Sequence, residues 1–132
     1  IKDGTLDVIA TDHAPHSAEE KLCGYDKAMN GIIGLETSFP VSYTALVRGG
    51  HIGLDKLIRL MSCNGAAILK DDSRGTLKAG AAADVAVFDI DTPYVIDPAS
   101  FKSKGRNTPF EGMEVYGRTL LTICGGKIVY SA

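Results

Sequence analysis

Apolar and polar residues alternate differently in successive parts of this chain, and the first apolar run predicts a buried strand. Thr5–Ala10 is mostly β-branched or aliphatic, which is typical of a strand covered on both faces in a parallel sheet. Pro15 cannot donate a hydrogen bond to a strand ladder, so the strand is expected to end before it. Residues 16–34 carry glycines and charges without a sustained period, which predicts a long surface or binding loop.

Two stretches then repeat apolar residues at helical spacing. The first covers residues 35–48 and is followed by the pair Gly49-Gly50, a usual stop for a helix. The second covers residues 54–61, with an apolar face that includes Leu54 and Leu57. Ser62 is expected to cap a third, short helix through residues 63–70.

From Asp71 onward the pattern changes to glycine-punctuated turns between short apolar runs. Strands are predicted over residues 84–89, 93–97, 119–124 and 127–130. Gly125-Gly126 lies between the last two, which predicts a tight hairpin. We therefore expect two domains, with residues 1–70 in one and residues 71–132 in the other.

Composition indicates a globular protein. The 132 residues are 45% hydrophobic, the net charge is -2, and the mean hydropathy is +0.06. This balance predicts neither a nucleic-acid partner nor a membrane partner, and no apolar run has the length of a membrane span. Three widely spaced cysteines without a Cys-x-x-Cys pair favour the reducing cytoplasm.

The start of the chain predicts that these residues come from a longer protein. Ile1 is not a methionine, and a buried type of strand follows within a few residues. A strand, helices and a β unit suit the end of an α/β barrel, but a whole eight-stranded barrel needs about 250 residues. The alternative is a small self-contained α+β domain.

The candidate chemistry lies where the first predicted strand ends, in "TDHAPH". Asp12, His13 and His16 follow the apolar run directly. The end of a strand is where an α/β barrel has its active site, so these residues are candidate catalytic groups. The alternative is a polar turn capped by Asp12.

Four further motifs are "DVIATDHAPHSAEEK", "NGIIGLETSFPV", "GTLKAGAAADVAVFD" and "FKSKGRNTPFEG". Together they resemble the C-terminal third of bacterial dihydroorotases, which are members of the amidohydrolase superfamily. The resemblance implies an α/β fold in which residues 1–70 form the last part of a (β/α)8 barrel, with strand 8, the active-site loop and helices. Residues 71–132 would then form the C-terminal strands of a small β-sandwich.

The same resemblance implies the activity, a zinc-dependent and reversible hydrolysis of dihydroorotate to N-carbamoyl-L-aspartate in pyrimidine biosynthesis. Asp12 matches the aspartate that binds zinc and acts as general base and acid. His16 matches the histidine that holds the substrate carboxylate, and Asn30 and Gly31 match positions that contact the substrate ring. His13 is either a group that orients Asp12 or a hydrogen-bonding group of the loop.

A metal site needs three or more protein ligands in fixed geometry, and the remaining zinc ligands are expected upstream of Ile1. Residues 1–132 alone are therefore not expected to be active, and the missing N-terminal part is their first expected partner. Two alternatives remain: another cyclic amidohydrolase of hydantoinase or allantoinase type, or an inactive homologue that is a structural partner of aspartate transcarbamoylase. A homo-oligomer is a further expected assembly.

Overall fold

The computed structural model describes residues 1–132, and the chain begins without a regular element. Here the structure differs from the strand predicted over Thr5–Ala10, because no strand of this chain lies beside that segment to form a ladder. Ile9 instead donates its backbone N–H to the carbonyl of Leu60, at 2.9 Å. A strand exists only with a partner, so an apolar run alone does not form one.

The first helix, α1 (Ala18–Leu22), lies inside the segment predicted to be an irregular loop. Ser17 caps it: the Ser17 hydroxyl accepts from the backbone of Glu20, and the Glu20 carboxylate accepts from the backbone of Ser17. This reciprocal pair is a capping box, which satisfies two donors at the helix start. The prediction of a loop was wrong here, because the spacing of Ser17 and Glu20 is that of a capping box, which starts a helix.

The two helical stretches occur where the apolar spacing predicted them. Helix α2 (Ser38–Ser42) continues as a π-helical segment over Tyr43–Arg48 and ends at Gly49. Helix α3 (Leu54–Ile58) continues through a π-helical segment over Arg59–Cys63 into α4 (Asn64–Ile68).

The separate third helix capped by Ser62 is not observed. Cys63, the next residue, has φ -59° and ψ -44°, which are helical values, and makes no side-chain cap. A helix cap needs a non-helical residue, so the chain from α3 to α4 is one continuous helical run.

The strands form two antiparallel sheets. Strands β1 (Val85–Asp89), β4 (Arg118–Cys124) and β5 (Lys127–Ser131) form one sheet in the order β1-β4-β5. Strands β2 (Tyr94–Val95) and β3 (Glu114–Val115) form a separate pair, and a 3-10 helix (Pro98–Ser100) follows β2. The predicted strands at 84–89, 119–124 and 127–130 are confirmed to within one residue at each end.

The turn between β4 and β5 follows from its two glycines. Gly125 and Gly126 have φ values of +55° and +77°, and Cys124 pairs with Lys127 across the turn. Two successive positive φ values are the requirement of a type I′ hairpin turn, and glycine meets it without steric cost.

The hydrophobic core joins the helices to the three-stranded sheet. Phe39, Tyr43 and Leu57 form its buried centre, and the Phe88 ring stacks on Phe39 with ring centroids 3.8 Å apart. Gly117 packs so closely that an added Cβ would lie 2.9 Å from the Phe39 ring. This contact positions the sheet against α2.

Much apolar surface stays exposed, since only 13 of 132 residues are buried. Large apolar side chains at the surface include Leu6, Leu22, Tyr25, Leu35, Leu69, Leu77, Ile128 and Val129. None of the helices combines the length and the apolar character needed to cross a bilayer.

Candidate functional site

Asp12 lies in the segment between the first apolar run and α1, with its carboxylate exposed to solvent. Its φ is +45°, a left-handed conformation that aspartate and asparagine adopt more readily than most residues. No ion pair of the chain includes Asp12. The carboxylate is therefore available to a ligand from outside this chain, and the strained backbone sets its direction.

The ring of His13 is a hydrogen-bonding group of the loop. Its Nδ1 atom accepts from the backbone N–H of Gly34 at 3.0 Å and of Leu35 at 3.4 Å. An accepting Nδ1 carries no hydrogen, so Nε2 is the protonated nitrogen of a neutral ring. Of the two roles considered for His13, the structure shows the loop hydrogen bond.

The ring of His16 is mostly enclosed, with its side chain 16% exposed. Its Nε2 lies 3.0 Å from the carbonyl oxygen of Asn30, to which it donates, since a carbonyl can only accept. Its Nδ1 lies 3.7 Å from the Glu20 carboxylate. His16 thus joins the start of α1 to the segment that carries Asn30.

The capping box stabilises the negative charge of the Glu20 carboxylate, which lies next to His16. Hydrogen bonds from the backbone and hydroxyl of Ser17 hold the pKa of the Glu20 carboxyl below its ordinary value, and the neighbouring His16 ring lowers it further. Glu20 therefore remains an anion beside His16 at neutral pH.

Gly31 is a close-contact position. Its φ is +110°, and an added Cβ would lie 2.5 Å from the Cβ of Ala14. No other residue fits this conformation and this space. The Gly31 carbonyl accepts two hydrogen bonds, from Lys21 Nζ at 3.1 Å and from Asn107 Nδ2 at 3.2 Å. Lys21 also donates to the carbonyl of Met29 at 2.7 Å.

The structure brings three of the four predicted site residues together, namely His16, Asn30 and Gly31. Asp12 lies four residues before His16, but none of the hydrogen bonds or ion pairs of the chain joins it to the other three. We call residues 11–16 and 30–34, with Asn107, the junction. It is held by backbone and side-chain bonds between these segments, including Ala14 N–H to Ile32 O at 2.9 Å.

Asn107 and Lys21 are the junction contacts that sequence reasoning missed. Asn107 lies in the "NTPF" motif used for the family resemblance, but no role was assigned to it. Lys21 follows the capping box, so recognition of α1 would have drawn attention to it. Neither sequence signal specifies a carbonyl partner.

As a metal site, the described residues are incomplete. Nowhere in the chain do three or more histidine, cysteine, aspartate or glutamate side chains come together as a metal-binding group. An exposed carboxylate outside any ion pair is suited to one coordination position, so Asp12 fits a metal only together with other ligands.

A cleft of about 810 Å³ adjoins the junction and lies between the start of α2 and the sheet. His13 lines it, but Asp12, His16, Asn30 and Gly31 do not. Glu36 borders the cleft and accepts the backbone N–H groups of Lys102 and Ser103, both at 2.9 Å. We assign the chemistry to the junction and not to this cleft, because all four predicted site residues lie in the junction and none of them lines the cleft.

Comparison with protein families gives a match across almost the whole chain. The profile of the amidohydrolase family matches residues 1–129. The chain is 51% identical to a dihydroorotase from Brevibacillus brevis and 50% identical to one from Clostridium botulinum, each over 98% of this chain. A dihydroorotase from Geobacter sp. strain M21 is 48% identical over 100% of it. The chain spans only about 30% of the length of these relatives.

Solved structures of related enzymes have the same arrangement of elements. An L-hydantoinase (dihydropyrimidinase) from Arthrobacter aurescens superposes with a TM-score of 0.90 at 34% identity, covering 98% of this chain and 30% of that one. A dihydropyrimidinase from Brevibacillus agri superposes with a TM-score of 0.92 at 27% identity, covering 98% of this chain and 29% of its own.

Proposed function

Since the chain belongs to the amidohydrolase family, we propose that it is part of a dihydroorotase, which hydrolyses dihydroorotate reversibly to N-carbamoyl-L-aspartate in pyrimidine biosynthesis. The observation that carries this proposal is the identity of about 50% to dihydroorotases along the whole chain. In this proposal, residues 1–70 would complete a (β/α)8 barrel as its last part, and residues 71–132 would belong to a β-sandwich. The core contact between Phe39 and Phe88 would then lie between the two domains.

Asp12 is the proposed catalytic carboxylate and one ligand of a zinc ion. A zinc ion bound there would supply a Lewis acid for the reaction. Asp12 itself would take a proton from the attacking water and return it to the leaving amide nitrogen of the ring. Its exposed carboxylate and fixed left-handed backbone support this role.

His16, Asn30 and Gly31 are the proposed substrate-binding group. The His16 ring would donate a charge-assisted hydrogen bond to the carboxylate of dihydroorotate. In the chain by itself its two nitrogens face the Asn30 carbonyl and the Glu20 carboxylate. A substrate carboxylate would therefore replace one of these contacts.

The proposed partners are the substrate and the rest of the same protein. The large apolar side chains exposed at the surface, such as Leu22, Leu69 and Leu77, support a large covering surface. Aspartate transcarbamoylase and a second copy of the protein are further proposed partners. The cytoplasm is the proposed compartment, since all three cysteines are free thiols.

A hydantoinase-type reaction is the second candidate, favoured by the superposition on the L-hydantoinase. Purified full-length protein should be assayed with dihydroorotate, hydantoin and dihydrouracil, with Asp12→Asn as the inactive control. We expect turnover of dihydroorotate alone, because only this ring carries a carboxylate for His16. Turnover of hydantoin or dihydrouracil with no turnover of dihydroorotate would overturn the proposal.

A further inference from the structure

We propose that Asn107 is a positioning residue, which fixes the distance and orientation between His16 and the Asn30-Gly31 pair. This inference rests on the proposed function, because it assigns Asn107 to the same substrate-binding group. Asn107 comes from the segment after the 3-10 helix, far in sequence from either residue that it connects.

The Asn107 side chain makes a hydrogen bond to each side of the junction. Its Nδ2 donates to the carbonyl of Ala14 at 3.1 Å and to the carbonyl of Gly31 at 3.2 Å. Its Oδ1 accepts the backbone N–H of His16 at 3.4 Å. A primary amide has two donors and one acceptor oxygen, and here all of these groups are used.

The backbone around Asn107 makes the same connection. Its carbonyl accepts the N–H of Ile33 at 3.1 Å. Gly105, two residues earlier, is buried where an added Cβ would lie 3.0 Å from Pro15 and 3.1 Å from Ile33. Residues 105–107 therefore occupy the space between residues 11–16 and residues 30–34. The backbone contacts hold Asn107 in place independently of its side-chain hydrogen bonds.

These contacts determine what Asn107 controls. The Asn107 Oδ1 atom holds the backbone N–H of His16. The Asn107 amide therefore fixes the position of the backbone from which the imidazole ring extends. The Gly31 carbonyl is fixed by Asn107 from one side and by Lys21 from the other. Because these bonds hold backbone groups of the proposed substrate-binding residues, their loss should weaken substrate binding more than the chemical step.

Aspartate is the most specific replacement for Asn107, because it has the same shape as asparagine and differs in its hydrogen-bonding groups. Asn107→Asp keeps an acceptor for the His16 N–H but loses both donors. It also places a carboxylate oxygen against the carbonyls of Ala14 and Gly31, which repel it. Asn107→Gln keeps every donor and acceptor but displaces them by one methylene.

Asn64 is a matched control. Its side-chain Nδ2 also donates to a backbone carbonyl distant in sequence, that of Asp7 at 2.7 Å. Asn64→Ala therefore removes one asparagine-to-backbone bond outside the junction.

The experiment measures kcat and KM for dihydroorotate and Tm in the full-length enzyme, for the wild type, Asn107→Asp, Asn107→Gln and Asn64→Ala. We expect both Asn107 variants to raise KM about tenfold or more with kcat changed less than about threefold, and Asn64→Ala to lower Tm with KM unchanged. If Asn107→Asp does not fold, Asn107→Gln decides by the same criterion. An unchanged KM in folded Asn107 variants, or an equal rise of KM in Asn64→Ala, would overturn the inference.

A wild-type enzyme that does not hydrolyse dihydroorotate would instead overturn the proposed function. The same split between KM and kcat would then be measured with the cyclic amide that the wild type does hydrolyse. The two failures are therefore distinguishable.

Discussion

The β4–β5 hairpin and the junction are built by opposite means. In the hairpin, Cys124 pairs with Lys127 across two glycines, and every partner lies within ten residues along the chain. In the junction, Asn107 bonds to Ala14 and Gly31, which are 93 and 76 residues away. The hairpin uses the regular bonds of a ladder, whereas the junction combines a few backbone bonds with side chains that bond to distant backbone groups.

This difference separates what stabilises the chain from what places its chemistry. The register of a hairpin is set by its turn and its local partners and does not depend on distant residues. A junction made by single side chains can be changed at one residue with little effect on the ladder. Substitutions in the junction should therefore alter kinetics, and substitutions in the hairpin should alter stability.

Asp12→Asn should produce the largest effect. We expect kcat of the full-length enzyme to fall by at least about 10²–10⁴, the usual contribution of a general acid and base. Tm of the metal-free enzyme should stay unchanged, because asparagine also adopts the left-handed backbone that Asp12 has, with φ +45°. Steady-state kinetics and thermal unfolding test this, and a near wild-type kcat would remove Asp12 from the mechanism.

His16→Ala should come next in size. Loss of a charge-assisted hydrogen bond to the substrate carboxylate should cost about 1.5–3 kcal/mol, which is roughly a 10- to 150-fold rise in KM. Metal content should be unchanged, as measured by elemental analysis. His51→Ala, at an exposed position after α2, is the control. Normal substrate binding with loss of metal would identify His16 as a ligand instead.

Sequence reasoning predicted the hairpin better than the junction for a physical reason. Strands β1, β4 and β5 and the Gly125-Gly126 turn follow from local periodicity and turn chemistry, and all were predicted within one residue. Helix α1 was missed although its capping box is also local. The strand predicted over Thr5–Ala10 is not observed, because a strand needs a neighbouring strand to pair with and the sequence of one segment does not specify that neighbour.

The site was predicted only as a set of residues. The resemblance selected His16, Asn30 and Gly31, and the structure places them together. It did not select Asn107 as their connection, since a hydrogen bond across 76 or more residues leaves no periodic trace in sequence. Three-dimensional contacts were needed for that step.

Gly125→Ala should lower stability without altering kinetics. An added Cβ at Gly125 meets nothing within 4 Å, so the cost comes from its φ of +55° alone, and we expect about 1 kcal/mol. Gly65→Ala is a matched control for which the expected change in the free energy of unfolding has the opposite sign. Gly65 lies in helix α4, also with open space around its Cβ, so alanine should stabilise by up to about 1 kcal/mol. Denaturant unfolding of both variants tests this pair, and a changed KM in either one would contradict the separation of hairpin and junction.

The smallest expected effect is a loss of thermal stability at acid pH, caused by Asp71 in the ion-pair network that contacts the hairpin turn. Hydrogen bonds from Ser73 and then from Arg74 lower the pKa of the Asp71 carboxyl from 3.8 to about 2. Arg74 also bonds Asp84, whose carboxylate accepts the backbone N–H of Gly125 at 2.7 Å, so this ion-pair network reaches the hairpin turn.

Because the pKa of Asp71 is lower in the folded state than in the unfolded state, its ionised form stabilises the fold. That contribution is complete above the unfolded pKa of about 3.8 and is lost as the pH falls towards about 2. The difference in Tm between wild type and Asp71→Asn should therefore be present at pH 5 and close to zero near pH 2. The side chain is 28% exposed, so solvent screening keeps the difference small. A Tm difference that persists unchanged at pH 2 would show that Asp71 acts by packing and not by charge.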